Sequence, residues 1–216
     1  MSASEGVIKF DLEFSPGPAP APGQLRELEA WRRIFRRLGL LGQDPQRYAG
    51  LGFGNLSRRA GPGTPADAFI VSGTQTGGLE RLTPADYAVV LRCDPHGNRV
   101  TATGLSRPSS EALSHGVLYQ ANPRIDWVMH LHSPEIFAAG AALHLPVTDP
   151  NVPYGSPQMA AEILRLCPAA GLPGLLIMGG HEDGILAFGG SAAATGTLVL
   201  ATLAAALACH DTTQGD

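Results

Sequence analysis

Ile125-Asp126-Trp127-Val128-Met129-His130-Leu131-His132, closed by Ser133-Pro134, is the stretch that decides the fold. A run rich in β-branched and aromatic residues and stopped by proline predicts a buried strand. Residues i and i+2 of a strand point to one face, about 6.5 Å apart along the chain at about 3.3 Å per residue. His130 and His132 therefore share a face at the strand's end, where two imidazoles can take one metal ion. Burying both among apolar neighbours without a shared partner would be costly. The stretch points to a metal-dependent enzyme.

Outward from it, the pattern alternates. Residues 134–143 and 157–166 predict helices, and residues 175–178 and 185–188 predict short apolar strands. Upstream, residues 68–72, 87–93 and 100–103 predict strands, the last two joined by the turn Asp94-Pro95-His96-Gly97-Asn98. That turn makes a hairpin, so the sheet is at least partly antiparallel. Leu25, Leu28, Trp31, Phe35 and Leu38 recur at helical spacing, and Gly39 and Gly42 fit the helix end. Ser109-Ser110-Glu111 opens a helix to about Gln120, with a serine able to cap it. Residues 48–57 are Gly-rich and predict a loop. Strands interleaved with helices specify a layered α/β domain.

The 216 residues suit one core. Residues 24–210 are expected to form that single domain, after a disordered Pro-rich segment, 1–23, and before a flexible tail, 211–216. The net charge of −4 gives no reason to expect nucleic acid. Arg32, Arg33, Arg36 and Arg37 cluster on the first helix, where a solvated or subunit-contacting face is expected. Cys93, Cys167 and Cys209 are odd in number and lack CxxC spacing, which argues against a disulfide framework and a cysteine zinc site. No basic, apolar signal segment opens the chain, so the cytoplasm is the expected compartment. Residues 184–209 carry no charge, but they are built of Ala, Gly and Thr without basic or aromatic flanks. They predict a strand and a small-residue core helix, not a membrane span.

His181, in Gly179-Gly180-His181-Glu182-Asp183-Gly184, is the natural third ligand, with glycines that would let the backbone approach an ion. Three nitrogens and one open position is the pattern of a catalytic divalent-metal site. Glu111 can add an oxygen ligand or act as a base. His115, four residues on, shares its helix face as a neighbour of the metal or a plain helix-face residue. His96, His144 and His210 lie in turns, loops or the tail and stay outside the site. Gly54-Asn55-Leu56-Ser57, Ser72-Gly73-Thr74-Gln75-Thr76-Gly77-Gly78 and Ser109-Ser110 combine hydroxyls with exposed N–H groups, suited to a phosphate or carboxylate.

Taken in order, Gly54-Asn55-Leu56-Ser57, Ser72-Gly73, Pro108-Ser109-Ser110-Glu111, His130-Leu131-His132-Ser133 and His181 resemble the class II aldolase/adducin family across roughly residues 25–208. The resemblance implies a three-layer α/β/α sandwich with a central, mostly antiparallel sheet, in a homotetramer with sites at subunit interfaces. It implies Zn(II), with Mn or Co as alternatives, on His130, His132 and His181, and Glu111 as fourth ligand or acid–base. It also implies a substrate anion on Asn55, Ser72, Gly73, Ser109 and Ser110. The chain departs from the family where its tyrosine proton donor is expected, near Pro150 or Asn151. It departs again in Gly-Gly-His181-Glu182-Asp183, which stands for Asn-His-Gly, and in Val71-Ser72-Gly73, which lacks a proline.

The expected reaction is retro-aldol C–C cleavage of a small sugar phosphate or hydroxy-keto acid through a metal-stabilised enediolate, with Glu111 moving the proton. Alternatives on the same site are a sugar-phosphate 4-epimerase, a dehydratase or a decarboxylase. A non-catalytic adducin-like binding module is the alternative from another class, because fold does not fix function.

Overall fold

The chain runs through β1 (Asp11–Pro16), α1 (Pro22–Arg37), β2 (Gly42–Gln43), β3 (Gly52–Phe53), β4 (Asn55–Arg59), β5 (Phe69–Ser72), β6 (Tyr87–Asp94) and β7 (Arg99–Gly104). It continues through α2 (Ala112–Ala121), β8 (Trp127–His132), α3 (Pro134–Ala139), α4 (Pro157–Ala170), β9 (Gly174–Ile177), β10 (Gly184–Gly189) and α5 (Ala192–Thr213). This computed structural model describes residues 7–213. Eight strands form one sheet in the order β1-β7-β6-β5-β4-β8-β10-β9. Only β1 with β7 pairs in parallel; the other ladders of that sheet are antiparallel.

Side-chain alternation sorts the strands between two cores. Phe69, Val71, Val128, Leu186 and Phe188 pack with Leu113, Val117, Met159 and Ile163 of α2 and α4. Ile70, Trp127, Met129, Leu131, Ile185 and Ala187 pack on the other face with residues of α1, α3 and α5. The result is the expected three-layer α/β/α sandwich. Because both faces are covered, the central strands read as continuous apolar runs rather than alternating ones. In β8 the parity that sends Met129 and Leu131 to one core sends His130 and His132 to the α2/α4 side.

Several expectations change. Residues 11–16, read as part of a disordered lead-in, form β1, with Asp11 opposite Arg99 and Glu13 opposite Thr101. The cause is a period-2 pattern, Ile8-Phe10-Leu12-Phe14, that packs onto the core despite the prolines after it. Residues 1–6 of that lead-in lie outside the described residues. At the other end α5 continues through residues 211–213, and residues 214–216 of the expected tail also lie outside. Asn55–Arg59, half assigned to a Gly-rich loop, is a central strand between β5 and β8. α3 ends at Ala139; Gly140 keeps helical dihedrals (φ −52°, ψ −43°), Leu143 N–H still donates to Ala139 O, and the chain leaves the helical path at His144, whose φ is +52°.

The α1 arginines are not simply solvated. Arg32 is 1 % exposed. Its guanidinium donates to the carbonyl oxygens of Thr76 (2.9 Å), Gly77 (3.3 Å), Leu79 (2.6 Å) and Glu80 (3.3 Å). Arg36 donates to Gly78 O at 3.1 Å. Carbonyls that lack a ladder partner need donors, and a guanidinium fork supplies several at once. Arg32→Met should therefore cost about 2 kcal/mol, read as a lowered urea midpoint, because it takes the donor from four carbonyl oxygens, that of Gly77 buried. Stability equal to that of the parent would contradict the account of this loop.

Candidate metal centre and anion pocket

The strand order β4-β8-β10-β9 assembles the site. Asn55 stands opposite His130, and Gly184 stands opposite His132. His181 sits in the turn between β9 and β10, where its N–H donates to Met178 O and its carbonyl accepts from Gly184 N–H, both at 2.9 Å. One ligand atom from each of His130, His132 and His181 lies within 4.8 Å of the others, and all three residues are buried. The Nε2 atoms of His130 and His132 are 3.2 Å apart. His130 Nδ1 lies 3.1 Å from Ile185 O. Only the Nδ1–H tautomer can donate there, which leaves Nε2 with its lone pair toward the centre. Three convergent imidazoles are a donor set that could hold a divalent ion.

Protonation agrees with that capacity. Burial drives His132 well below the usual imidazole range, reinforced by His181 and His130. Burial likewise holds His181 at about 4, against the opposing pull of Glu111. Neutral imidazole is the ligating form. In the unfolded chain these rings take a proton near pH 6.5, whereas in the fold His181 refuses it down to about pH 4. The unfolded state then binds more protons between those values. Stability is thus full above about pH 6.5 and falls toward pH 4, by about 1.4 kcal/mol per pH unit for each such ring. Urea midpoints of chelator-treated protein from pH 7.5 to 4.5 should show that fall, and a flat profile would contradict it.

Glu111 stands just before α2 and is 1 % exposed. Ser114 donates to its Oε2 at 2.7 Å. It falls outside the three-histidine cluster, although it lies near enough to act on His181 electrostatically. His115 is not at the centre. Its Nδ1 is 2.6 Å from Ser57 Oγ, which is 2.7 Å from Tyr119 Oη, a buried polar group beneath the sheet. Burial, and then His130, keep His115 neutral.

The glycines before His181 make room for a neighbouring segment. A Cβ on Gly180 would stand 1.8 Å from Val152 O, and one on Gly179 would stand 2.4 Å from Thr148 O. They admit the crossing loop 148–152. Gly180→Ala should displace that loop and lower the melting temperature by several degrees, at a cost of about 2 kcal/mol. An unchanged melting temperature would contradict the crossing.

Next to His130, across its pairing with Asn55, lies a small polar cleft lined by Asn55, Gly73, Ser109 and Ser110, with Thr74 and Thr76 on its wall. Asn55 is 7 % exposed and its Oδ1 is buried without a hydrogen bond, a cost that a ligand could relieve. Ser72 does not line the cleft. Its Oγ accepts from Leu56 N–H and its carbonyl accepts from Ser109 N–H, so it ties β5 to its neighbours. Ser109 Oγ already accepts from Glu111 N–H at 3.2 Å.

Two tyrosines enclose the triad, and sequence spacing could not reveal their contacts. Tyr154 stacks on His181, centroids 4.3 Å apart at 22°. Tyr48 meets His132 edge-on at 4.5 Å. The Tyr48 hydroxyl donates to Asp183 at 2.8 Å and accepts from Arg47. Burial and Asp183 raise the Tyr48 pKa, so it keeps its proton.

Comparison with known proteins agrees with this architecture. No curated protein sequence matches the chain. Among solved structures, an L-fuculose 1-phosphate aldolase is 21 % identical with a TM-score of 0.61, covering 92 % of this chain and 90 % of its own. The L-fuculose-1-phosphate aldolase of Thermus thermophilus is 18 % identical at 0.61, covering 88 % and 94 %. A sugar-phosphate aldolase from Thermotoga maritima is 13 % identical at 0.68, covering 90 % and 97 %. Identities this low speak for the fold alone. The family model described as Class II Aldolase and Adducin N-terminal domain matches residues 43–206, well over half of the sequence. The chain therefore belongs to the class II aldolase and adducin family.

Proposed function

We propose that the protein is a metal-dependent carbon–carbon lyase that cleaves a small phosphorylated or carboxylated hydroxy-ketone by a retro-aldol reaction. The observation that carries this reading is the buried triad His130, His132 and His181 beside a polar cleft. The donor set fits zinc best among common divalent ions, with Mn or Co as substitutes. When bound, the ion supplies Lewis-acid polarisation of the substrate carbonyl.

The chain's own groups do the rest. Asn55, Ser109, Ser110 and the Gly73 backbone bind the substrate's anion and set its distance from the histidines. Ser72 acts behind them as a clamp. Glu111, held by Ser114, carries the proton that the donor fragment's α-carbon takes up after cleavage and gives up in the condensation direction. The packed surroundings of the triad keep water from competing for that proton.

We also propose self-association, in keeping with the family's tetramers. Only a third of the apolar span Ala192–Cys209 of α5 is buried in the single chain, and Leu207 is half exposed. Apolar surface of this extent suits subunit contact, and a reducing cytoplasm remains the expected compartment.

The test is proton exchange. Metal-loaded protein incubated in D2O with dihydroxyacetone phosphate, and separately with pyruvate, should place deuterium on the α-carbon of one of them. Adding a panel of aldehydes should then yield a condensation product. Exchange that persists after the metal is stripped, or no exchange from either donor in metal-loaded protein, would sink the lyase reading. The second outcome would favour a binding module.

A further inference from the structure

Lys9 is the only lysine of the chain, against fourteen arginines, and the fold brings it from the N-terminal segment to the edge of the metal centre. Asn98 Nδ2 donates to its carbonyl at 3.0 Å, and Asp11 N–H donates to Asn98 O at 2.8 Å. The β1–β7 edge thereby fixes where the side chain begins. Its Nζ donates to Tyr154 O at 2.9 Å and stands 3.3 Å from the Tyr154 ring centroid.

The same tyrosine ring is stacked on His181 at 4.3 Å. An ammonium and an imidazole cannot share one ring face at those separations. Lys9, Tyr154 and His181 therefore form a column with the tyrosine in the middle. The column also borders the acid–base group: a Cβ added to Gly155 would lie 3.7 Å from Lys9 Cδ, 3.4 Å from Ser110 O and 3.9 Å from Glu111 Oε1.

His181 differs from its two partners in its support. His130 and His132 project from a central strand, whereas His181 rides on a turn. Its ring plane is set largely by what packs on it, and a ligating nitrogen must come within about 2.1 Å of an ion. A cation over the far face of an aromatic ring holds that ring in place. Groups behind a ligating histidine commonly tune metal affinity about tenfold or more.

We propose that Lys9 is a positioning residue of the metal centre: by holding Tyr154 flat against His181 it keeps that imidazole in its metal-ligating orientation. The proposal rests on the reading of His130, His132 and His181 as metal ligands. It also has an opposite in simple electrostatics. A positive charge near a divalent ion repels it, so a charge effect alone would make loss of Lys9 tighten binding.

The test is zinc affinity of the full-length protein, measured by competition with a chromophoric chelator, beside the melting temperature of the metal-free protein. Lys9→Met should weaken zinc binding about tenfold while the metal-free melting temperature stays unchanged. Lys9→Arg and Tyr154→Phe, which keep a cation and an aromatic face, should both stay within about threefold of the parent. Adding Lys9→Met to Tyr154→Leu should weaken binding no further than Tyr154→Leu alone, because the lysine acts through the ring.

Unchanged or tighter binding in Lys9→Met would overturn the proposal, as would losses that simply add in the double variant. A lowered metal-free melting temperature with unaltered affinity would overturn it too, in favour of a purely structural lysine. A parent protein that takes up no zinc at the triad would instead sink the metal reading itself, and this proposal with it.

Discussion

His130→Ala protein is expected to take up no zinc at micromolar free metal and to lose at least about 10³-fold in turnover. His130 contributes Nε2, 3.2 Å from Nε2 of His132, and its other nitrogen is committed to Ile185 O. With the ring goes one of three convergent nitrogens and the contact that orients it. Two remaining imidazoles leave too few protein ligands for a tight catalytic site. The measurement is metal content after dialysis together with turnover. His96→Ala, altered in the β6–β7 turn away from the triad, should match the parent in both. Full turnover without metal in His130→Ala would end the account.

Glu111→Gln should lower turnover by about 10² to 10⁴, the usual contribution of a positioned acid–base group. Glutamine keeps the shape and can still accept from Ser114, which now meets Oε2 at 2.7 Å. It cannot carry the proton. Glu111 stands outside the three-histidine cluster, so zinc affinity should change by less than about tenfold. The pairing of lost deuterium exchange with retained zinc separates a proton carrier from a metal ligand. Loss of zinc in Glu111→Gln would make Glu111 chiefly a ligand, and unchanged turnover would remove it from the mechanism.

The parts of the molecule that were legible in sequence were those with local periodicity. β8 could be read because its apolar run alternates faces, and the same parity predicted that His130 and His132 would point together. His181 could be placed just beyond an apolar strand, but not the reason for its glycines, which is the crossing by the loop 148–152. β1 was hidden by the prolines that follow it, although Ile8, Phe10, Leu12 and Phe14 carry the strand's period. β4 was hidden by the glycines before Asn55.

Side-chain partnerships across long separations left no local trace. Lys9 reaches Tyr154 across 145 residues, and Tyr48 reaches Asp183 across 135. Arg32 looked like one member of a charged helix face, because periodicity does not show that carbonyls from residues 76–80 converge on it. His115 shows the limit of helical spacing. Four residues after Glu111 is near enough to suggest a shared site, yet its ring belongs to Ser57 and Tyr119.

The most direct test of the central claim is anomalous diffraction at the zinc edge from crystals of the metal-loaded protein. One strong peak per chain is expected, about 2.0 to 2.1 Å from a nitrogen of each of His130, His132 and His181, with its open side toward the cleft of Asn55 and Ser110. A peak elsewhere, or a fully loaded protein with no metal among those three rings, would contradict it.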